Sequence, residues 1–389
     1  MKRILFFNYE YPPLGGGAAN ATKAIIAEYA AMGTVHVDVV TSSIDEKFHT
    51  EKMGEHVHVY RLPIGKNPHN LTYQTKKELI TYTYKAYFFA KKLCKKHSYD
   101  ATHSFFAVPC GVISFWIQKR FNIPYIVSLR GADVPGYSER FTRMYRVLTP
   151  VILRVWKNAQ CVVTNSTGLT ALAQQSNPQQ KFLCIPNGVD TTFYHPGART
   201  PDDRKKEFII LCASRLSRRK GFRYAIDALA SLVPRYPHVR MIIAGGEGNA
   251  MRELKARVHE KKLDNYVTFS GAYTKKDAPA IYHNADVFVM PSLNEGMSNN
   301  LLEALASGLP VLMTPTGGAQ ELVRDGENGY LIAMRDAQSI AEKLRVLIEH
   351  PEQCEEYGRN SRATAKQMSW KTVAEQYNTL YDTITQKTV

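Results

Sequence analysis

Short apolar runs rich in β-branched and aromatic residues alternate with longer amphipathic stretches, and this alternation limits the fold more than any other feature of the sequence. Residues 4–7 form such a run before a helical pattern over 18–32, and further runs follow at 35–41, 125–129 and 161–164. Strands that alternate with helices are typical of a parallel sheet covered on both faces. The first half of the chain therefore predicts a doubly wound α/β domain.

The same alternation starts again after a break rich in proline and glycine, at Pro186-Asn187-Gly188 and 195–201. The runs predicted as strands in this second part are 208–213, 240–244, 266–270, 287–290 and 311–314. The chain of 389 residues is longer than one domain of about 100–200 residues. We therefore predict two doubly wound domains, 1–186 and 187–368, with ligands bound in a crevice at the carboxyl ends of the strands.

The composition, 44% hydrophobic and 22% charged residues, is typical of a globular protein. No apolar run reaches the roughly 18 residues of a membrane span, and Asn8 and Glu10 interrupt the first run before a signal-peptide core is complete. The six cysteines are dispersed without a C-x-x-C pair, and no histidine has metal-ligand spacing, so neither a disulfide framework nor a zinc site is predicted. This pattern favours reduced thiols and a cytoplasmic location.

Two glutamates flank a predicted helix start directly after the apolar run 287–290. The segment reads Glu295, Gly296, Met297, Ser298, Asn299, Asn300, Leu301, Leu302 and Glu303. Ser298 is a candidate N-cap, so a helix starting at Asn299 would present free backbone N–H groups and its positive dipole end to a diphosphate. Glu295 would then lie in the loop, where it can reach a sugar ring, and Glu303 in the second turn, where it can accept from ribose hydroxyls.

The seven residues between Glu295 and Glu303, followed by Ala-x-Ala-x-Gly-x-Pro-Val, resemble the E-x7-E signature of the family-4 retaining glycosyltransferases. The alternative, two glutamates on a solvated helix face, does not account for the flanking glycine, small residues and proline. The resemblance implies the GT-B fold, two Rossmann-like domains facing a central cleft. It also implies retaining transfer of a hexose-type sugar from a UDP- or GDP-linked donor.

Two further loops resemble motifs of the same family. Arg215 and Lys220, in Ser-Arg-Leu-Ser-Arg-Arg-Lys-Gly, resemble G-R-L-x-x-x-K-G, which implies that they bind the donor diphosphate. The alternative is a solvated basic loop at a strand end. Gly15, Gly16 and Gly17 resemble the N-terminal glycine loop that approaches a phosphate or the acceptor, although a tight turn into a helix would also use glycines.

Softer matches extend the resemblance over nearly the whole chain. Gly246 lies where the family has a G-x-G turn, and Tyr273 lies where it brackets the nucleotide base. The segment from Trp370 to Tyr381 resembles the last helix of the fold, so a helix over about 369–389 is expected to cross back onto the N-terminal, acceptor-binding domain.

One position departs from the family pattern. Where the family often has His-Gly-x-Asp beside the reacting centre, this chain has Arg130-Gly-Ala-Asp133. Arginine cannot act as a base at neutral pH, but it can hold an anionic donor sugar or a phosphate. The alternative is that Arg130 pairs structurally with Asp133 or another nearby acidic residue.

The expected chemistry needs no metal, because no Asp-x-Asp occupies a strand-end loop and Asp202-Asp203 lies in the predicted linker. No cofactor is expected, since the nucleotide sugar is a co-substrate. Arg215, Lys220 and the helix start after Ser298 would stabilise the leaving diphosphate. The leaving phosphate would help to deprotonate the acceptor during front-face attack, and Glu295 would orient the sugar.

The net charge of +15 predicts an anionic partner. Two basic amphipathic stretches with aromatic residues, 139–157 and 82–96, are typical of membrane-surface helices, although a helix that packs on a sheet has the same pattern. They favour a glycan or lipid-linked acceptor, as in cell-surface polysaccharide, lipopolysaccharide or glycolipid synthesis, with the protein peripheral on the inner face of the plasma membrane. Nucleic acid is not expected as a partner.

Three alternative functions share parts of this pattern. A nicotinamide-dependent dehydrogenase is excluded because the glycine triplet is contiguous and the run 35–41 ends in Thr41-Ser42-Ser43 instead of an acidic residue. A non-enzymatic membrane- or nucleic-acid-binding protein would need only the basic surface and not the two glutamates. A nucleotide-sugar epimerase of the GT-B fold is the nearer alternative.

Overall fold

The computed structural model describes residues 1–67, 70–71, 73–138 and 142–386. The chain forms two compact units, which are described separately. Unit 1 consists of Met1–Asn187 and Trp370–Val389, and unit 2 consists of Gly188–Ser369.

Unit 1 is built on an eight-stranded sheet. Its strands are β1 (Lys2–Phe7), β2 (Val35–Ser42), β3 (His49–Met53), β4 (Val57–Leu62), β5 (Ala101–Phe105), β6 (Tyr125–Ser128), β7 (Cys161–Thr164) and β8 (Phe182–Cys184). The strand order is β3-β4-β2-β1-β5-β6-β7-β8, and all pairs are parallel except β3 with β4. The chain leaves β1 towards β2 and returns on the other side at β5, which is a doubly wound topology.

Helices cover both faces of this sheet. They are α1 (Gly17–Met32), α2 (Lys76–Lys96), α3 (Val112–Phe121), α4 (Thr142–Asn158) and α5 (Thr167–Ser176), with a π-helical turn at Ala107–Gly111. α2 begins with a capping box, in which the Glu78 carboxylate accepts from the Thr75 backbone N–H at 2.6 Å. α2 and α4 both contact α3, so these three helices form one layer.

Unit 2 is built on a six-stranded, fully parallel sheet. Its strands are β9 (Phe208–Ala213), β10 (Val239–Ala244), β11 (Val267–Gly271), β12 (Val287–Met290), β13 (Val311–Met313) and β14 (Gly329–Leu331). The order is β11-β10-β9-β12-β13-β14. The topology therefore reverses between β9 and β12.

Eight helices and one 3₁₀ turn (Arg218–Lys220) are described in unit 2. They are α6 (Pro201–Lys206), α7 (Phe222–Leu232), α8 (Met251–Glu260), α9 (Ala278–His283), α10 (Asn299–Ala306), α11 (Ala319–Leu322), α12 (Ala337–Glu349) and α13 (Pro351–Lys366). Asp202 and Asp203, expected in a linker, lie instead in the first turn of α6, because Asp203 completes a capping box with Thr200.

The last helix, α14 (Trp370–Gln386), belongs to unit 1, where it contacts α1. Val373, Tyr377 and Tyr381 are buried in one core cluster with residues of α1 and β1. The helix therefore packs on the N-terminal sheet.

The observed strands confirm a doubly wound sheet in each unit, and nine of the fourteen described strands begin and end within two residues of a predicted run. Five strands were not predicted: β3, β4, β5, β8 and β14. β5 illustrates the reason, because its sequence Ala-Thr-His-Ser-Phe contains polar residues that are all buried in the sheet. Of the stretch 139–157, residues 139–141 lie outside the described residues. Within the described residues, no helix combines the length and hydrophobicity that crossing a membrane requires.

Candidate active site

Three of the predicted site residues of unit 2 lie in loops at the carboxyl ends of β9 and β12, the two neighbouring strands at which the topology reverses. In doubly wound sheets this is where ligands bind. Arg215 and Lys220 lie in the loop after β9, and Glu295 lies in the loop after β12. Residues 75 positions apart in sequence are thus brought together by the order of the strands.

Lys220 and Glu295 form a buried ion pair. The Lys220 Nζ atom lies 2.6 Å from Glu295 Oε1, and the side chains are 10% and 6% exposed. The Ser292 hydroxyl donates to the same oxygen at 2.7 Å. Burial raises the pKa of Glu295, but the positive charges of Lys220 and Arg219 and these hydrogen bonds outweigh it, so the pKa lies below its ordinary value. Glu295 is therefore an ionised carboxylate at neutral pH.

Close backbone contacts hold the two loops together. The Leu293 N–H donates to the Arg219 carbonyl at 2.8 Å. Gly221 ends the 3₁₀ turn at φ 68°, and a Cβ atom there would lie 2.0 Å from the Pro291 carbonyl oxygen. Only glycine fits this position, because both the left-handed conformation and the close approach exclude a side chain. The loop geometry therefore fixes Lys220 against Glu295.

The helix α10 begins at Asn299 with Ser298 as its N-cap, as the sequence predicts. The Ser298 hydroxyl accepts from the Leu301 N–H at 3.3 Å, and Leu301 is fully buried. Gly296 and Met297 are buried in the loop before the cap, whereas Asn299 and Asn300 are half-buried. The first turn of α10 thus lies at the carboxyl edge of the sheet, next to the loop that carries Glu295.

Glu303 lies in the second turn of α10 beside tyrosine hydroxyls. Tyr282 donates to Glu303 Oε2 at 2.8 Å, and Tyr194 also hydrogen-bonds this carboxylate. Burial raises the pKa of Glu303 to about 7, although these hydrogen bonds oppose the shift. The Asn300 amide donates to the Tyr273 hydroxyl at 3.1 Å, so the predicted base-bracketing residue lies in the same cluster.

Gly246 lies in the turn after β10, beside the loop of Arg215. Its carbonyl accepts from the Leu216 N–H at 3.1 Å. The preceding Gly245 has φ 145°, and a Cβ atom there would lie 1.9 Å from the Ser214 carbonyl oxygen. Arg215 is half-buried between Ser214 and Leu216. The glycine turn therefore supports the loop that carries Arg215 and Lys220.

In unit 1 the predicted glycine loop lies between β1 and α1. Gly15 has φ 89° and donates its N–H to the Leu71 carbonyl at 2.9 Å. A Cβ atom on Gly15 would contact the Glu10 side chain at 2.6 Å, whereas one on Gly16 would meet nothing within 4 Å. Gly17 begins α1. Gly15 is thus required by the turn, while the space beside Gly16 is open.

The side chain of Arg130 does not hydrogen-bond Asp133, so the direct pair with Asp133 that the sequence leaves open is not formed. Asp133 instead accepts from three backbone N–H groups, those of Arg130, Gly131 and Ala107, at 2.9, 3.1 and 2.8 Å. Burial raises the pKa of Asp133, and these hydrogen bonds oppose the shift. Asp133 therefore shapes the loop through these hydrogen bonds, and its charge acts on the Arg130 guanidinium without a hydrogen bond between the two side chains.

Arg130 lies at the end of a chain of polar side chains inside unit 1. Its guanidinium donates to the Asn187 side chain at 2.9 Å and to the Tyr377 hydroxyl at 3.1 Å, and it lies 3.6 Å from the centre of the Phe105 ring. Tyr377 also contacts the Ser128 hydroxyl at 3.0 Å. A residue of α14 therefore helps to position Arg130.

Sequence reasoning did not find several partners of the predicted residues. They are Ser292 for Glu295, Tyr194 and Tyr282 for Glu303, and Asn187 for Arg130. Ser292 could have been found from its place at the end of β12. The tyrosines carry no local pattern, because they come from segments distant in sequence. Among the described residues, the one cluster with metal-ligand spacing lies elsewhere, in unit 1.

Two family models match the chain. The model for glycosyl transferases group 1 matches residues 199–364, and the model for a glycosyl transferase 4-like domain matches residues 16–188. Together they cover both units and include nearly all of the predicted site residues.

Curated relatives agree with the family models. The chain is 25% identical over 400 residues to mannosylfructose-phosphate synthase of Agrobacterium fabrum, which covers 94% of this chain and 87% of the relative. It is 30% identical over 239 residues to spore coat protein SA of Bacillus subtilis, which covers 57% of this chain and only 63% of the relative's length.

Solved structures show the same fold. Sucrose-phosphate synthase from Thermosynechococcus elongatus has a TM-score of 0.84 at 24% identity and covers 99% of both chains. Anabaena Alr3699/HepE in complex with UDP and glucose has a TM-score of 0.76 at 22% identity, over 98% of this chain and 100% of the other.

Proposed function

Because the chain belongs to the family-4 glycosyltransferases (group 1) with the GT-B fold, we propose that it transfers a hexose-type sugar from a nucleoside-diphosphate sugar to a glycan or lipid-linked acceptor. The single observation that carries the proposal is the buried Lys220–Glu295 pair at the point where the sheet of unit 2 reverses. An ion pair that only stabilised the fold would not have to lie at the point where the sheet reverses, nor beside the start of a helix.

The donor diphosphate would bind between the loop after β9 and the first turn of α10. Departure of the nucleotide places negative charge on the β-phosphate, so fixed positive groups must lie there before the reaction. Lys220 and Arg215 supply cations on one loop, and the backbone N–H groups of the first turn of α10 lie at the positive end of its dipole. These groups stabilise the leaving group without any reorganisation.

Glu295 acts on the sugar side of the breaking bond. Since its carboxylate is ionised and held by Lys220 and Ser292, it offers a fixed negative charge to the sugar, which becomes cationic in the transition state. Its free oxygen, Oε2, can accept from a sugar hydroxyl. Glu303 accepts from the ribose hydroxyls, and Tyr273 brackets the base.

We propose retention of the donor's anomeric configuration without a metal ion. The leaving phosphate deprotonates the acceptor during front-face attack, and cationic side chains provide the charge that Mg²⁺ would otherwise supply. The UDP complex of Alr3699/HepE makes UDP-sugars the first donors to test, with GDP-sugars next.

We propose that unit 1 binds the acceptor and that it does so at an anionic membrane surface. α2 exposes Ile80, Tyr84 and Phe88, spaced four residues apart, at 58, 57 and 55% exposure. These residues lie opposite the buried Tyr82, Ala86 and Ala90, so packing on the sheet does not explain them. Exposed lysines, including Lys92 and Lys95, lie on the same helix. This arrangement suits an interfacial helix over anionic lipid.

The test is a panel of UDP-, GDP-, ADP- and dTDP-sugars incubated with the full chain, with and without EDTA. Binding is measured by calorimetry and sugar release by chromatography. We expect one donor class to bind and to hydrolyse slowly in EDTA. Binding should weaken in Lys220→Gln and remain unchanged in Lys205→Gln, whose lysine is exposed in α6. Binding of none of the donors, or binding only with a metal, would contradict the proposal.

Glu295→Gln separates the role on the sugar from a role in holding the donor. Because glutamine keeps the size of the side chain but not its charge, turnover should fall by about 100-fold or more while donor affinity changes much less. Equal losses in turnover and affinity would show that Glu295 only positions Lys220.

A further inference from the structure

Two histidines and an aspartate meet on one face of the sheet of unit 1, on the neighbouring strands β2 and β4. His36 and Asp38 are two residues apart on β2, so their side chains leave the same face. Asp38 pairs directly with His58 of β4 in the parallel register. The register therefore brings three side chains to one point from positions that a sequence motif does not connect.

The ligand atoms of the three residues converge. His36 Nε2 lies 3.6 Å from Asp38 Oδ1, and His58 Nδ1 lies 3.5 Å from the same oxygen. All three atoms lie within 4.8 Å of one another. Ligands bound at about 2.0–2.1 Å around a tetrahedral zinc ion are about 3.3–3.4 Å apart, so the spacing is close to that of a metal site.

The two imidazole nitrogens that face Asp38 have no hydrogen-bond partner among the residues that the structure describes. His36 Nε2 and His58 Nδ1 are both buried atoms without a hydrogen-bond partner. A buried polar atom without a partner costs free energy, and two such atoms aimed at one carboxylate oxygen need a common explanation. A bound cation would satisfy both nitrogens at once.

The surroundings of Asp38 leave one of its oxygens facing the histidines. Arg3 donates two hydrogen bonds to Asp38 Oδ2 at 3.0 and 2.8 Å, and the Tyr99 hydroxyl donates to the same oxygen at 2.6 Å. Oδ1 accepts only a long hydrogen bond from Tyr60, at 3.4 Å, among the described hydrogen bonds. These partners fix the carboxylate as the outer residues of metal sites fix a ligand.

We propose that His36, Asp38 and His58 bind a divalent transition-metal ion of the zinc class, with solvent as the fourth ligand. Two imidazoles and one carboxylate suit Zn²⁺, Co²⁺ or Ni²⁺ rather than Mg²⁺ or Ca²⁺, which prefer oxygen ligands. The side chains of His36 and His58 are 20% and 28% exposed, so the cluster lies near the surface although its ligand atoms are buried. The site fastens β4 to β2, and with β4 the antiparallel edge strand β3.

This site is separate from the proposed reaction. The cluster lies in the amino-terminal halves of β2 and β4, whereas ligands of doubly wound sheets bind at the carboxyl ends. The ion is therefore structural, and transfer in unit 2 does not depend on it. The sequence rule for zinc sites did not find the cluster, because that rule relies on ligand spacing within one segment.

The experiment titrates the EDTA-treated, dialysed full chain with Co²⁺ and follows visible absorption, then displaces Co²⁺ with Zn²⁺. We expect one equivalent of four-coordinate Co²⁺ per chain and an increase in Tm with Zn²⁺. His36→Ala and His58→Ala should each weaken Co²⁺ binding at least tenfold and abolish the increase in Tm. The control His259→Ala removes a histidine that lies 3.4 Å from Asp264 on the surface of unit 2, and should change neither.

Circular dichroism in EDTA shows whether each variant is folded, and a second substitution at each position, to Gln, serves if alanine disturbs the sheet. Absence of stoichiometric Co²⁺ binding overturns the proposal, as does binding that survives both substitutions. If the wild-type Tm instead rises only as the pH is lowered, without an effect of Zn²⁺, the histidines pair with Asp38 as protonated cations and bind no metal. Donor hydrolysis by His58→Ala in EDTA keeps this result distinct from the proposed activity.

Discussion

Lys220 is the ion-pair partner of Glu295, the carboxylate at the centre of the candidate site, and it stabilises the ionised form of that carboxylate. Lys220 and Glu295 are both less than 10% exposed as whole residues, and each neutralises the other. Removing one partner from a buried pair leaves the other charge uncompensated, which typically costs about 3–5 kcal/mol. Any loss of donor binding in Lys220→Gln would therefore also reflect the unpaired charge of Glu295. Arg215→Gln does not remove the partner of Glu295, so it tests the contact with the diphosphate more directly.

We expect Glu303 to make the proposed donor site depend on pH. Its pKa is raised to about 7 by burial, so it gains its negative charge only as the pH rises through neutrality. An ionised carboxylate accepts stronger hydrogen bonds from ribose hydroxyls than a protonated one does. We expect affinity for an intact nucleotide sugar, measured by calorimetry, to rise several-fold between pH 6 and pH 8.

Glu303→Gln is the matched variant for this dependence. Glutamine has no titratable group, so affinity should be lower at pH 8 and nearly constant with pH. The carboxyl group of Glu303 holds its proton more tightly in the native state than in the unfolded state. The free energy of unfolding of the wild type should therefore decrease as the pH rises from about 4.5 to about 7. Glu303→Gln should remove this contribution to the decrease. The nucleotide sugar is preferable to a free nucleotide, whose terminal phosphate titrates near pH 6. A pH dependence that persists in the variant would assign it to another group.

At the scale of elements, the start of α10 has two roles that can be separated. Ser298 caps the helix, and the same turn is proposed to bind the diphosphate. Ser298→Ala should cost about 1 kcal/mol of stability through loss of the cap. It should also weaken donor binding about tenfold, because the N–H groups of the first turn lose their fixed direction.

The chain offers a matched control in α5, whose N-cap Ser166 accepts from the Leu169 N–H at 3.1 Å. Ser166→Ala should lower the midpoint of urea unfolding as Ser298→Ala does, but leave donor binding unchanged. If both variants bind donor as the wild type does, α10 is only a structural helix.

How far the sequence predicts the structure also depends on the element. α10 was predicted with its cap because the capping residue and the apolar face of the helix are local features. β5 was missed because His103 and Ser104 are buried polar residues, paired with Tyr381, Ser128 and Ser114 from other segments. The tyrosines around Glu303 were missed for the same reason. Polar side chains that meet only through tertiary packing produce no periodic pattern in the sequence.

For the whole molecule, the effect of the net charge of +15 depends on which basic residues lie next to exposed apolar side chains. α4 repeats the arrangement of α2: Val147 and Val151 are 73% and 40% exposed, and Arg143 and Arg154 are exposed one turn to either side. α2 and α4 flank α3 in a single layer of unit 1. Scattered surface charge would give weak, non-specific attraction, whereas basic residues next to exposed apolar side chains favour adsorption to anionic lipid.

We therefore expect the full chain to co-sediment with vesicles that contain anionic lipid and not with neutral phosphatidylcholine vesicles. Binding should decrease as salt is raised from about 0.05 to 0.5 M, because screening weakens the attraction between lysines and headgroups. The double substitution Tyr84→Ser and Phe88→Ser should weaken binding about tenfold, since two side chains no longer enter the interface. Met334→Ser removes a comparably exposed side chain from unit 2 and should have no effect. Equal binding of all three proteins, or binding that is indifferent to lipid charge, would mean that the exposed face of α2 serves a purpose other than membrane contact.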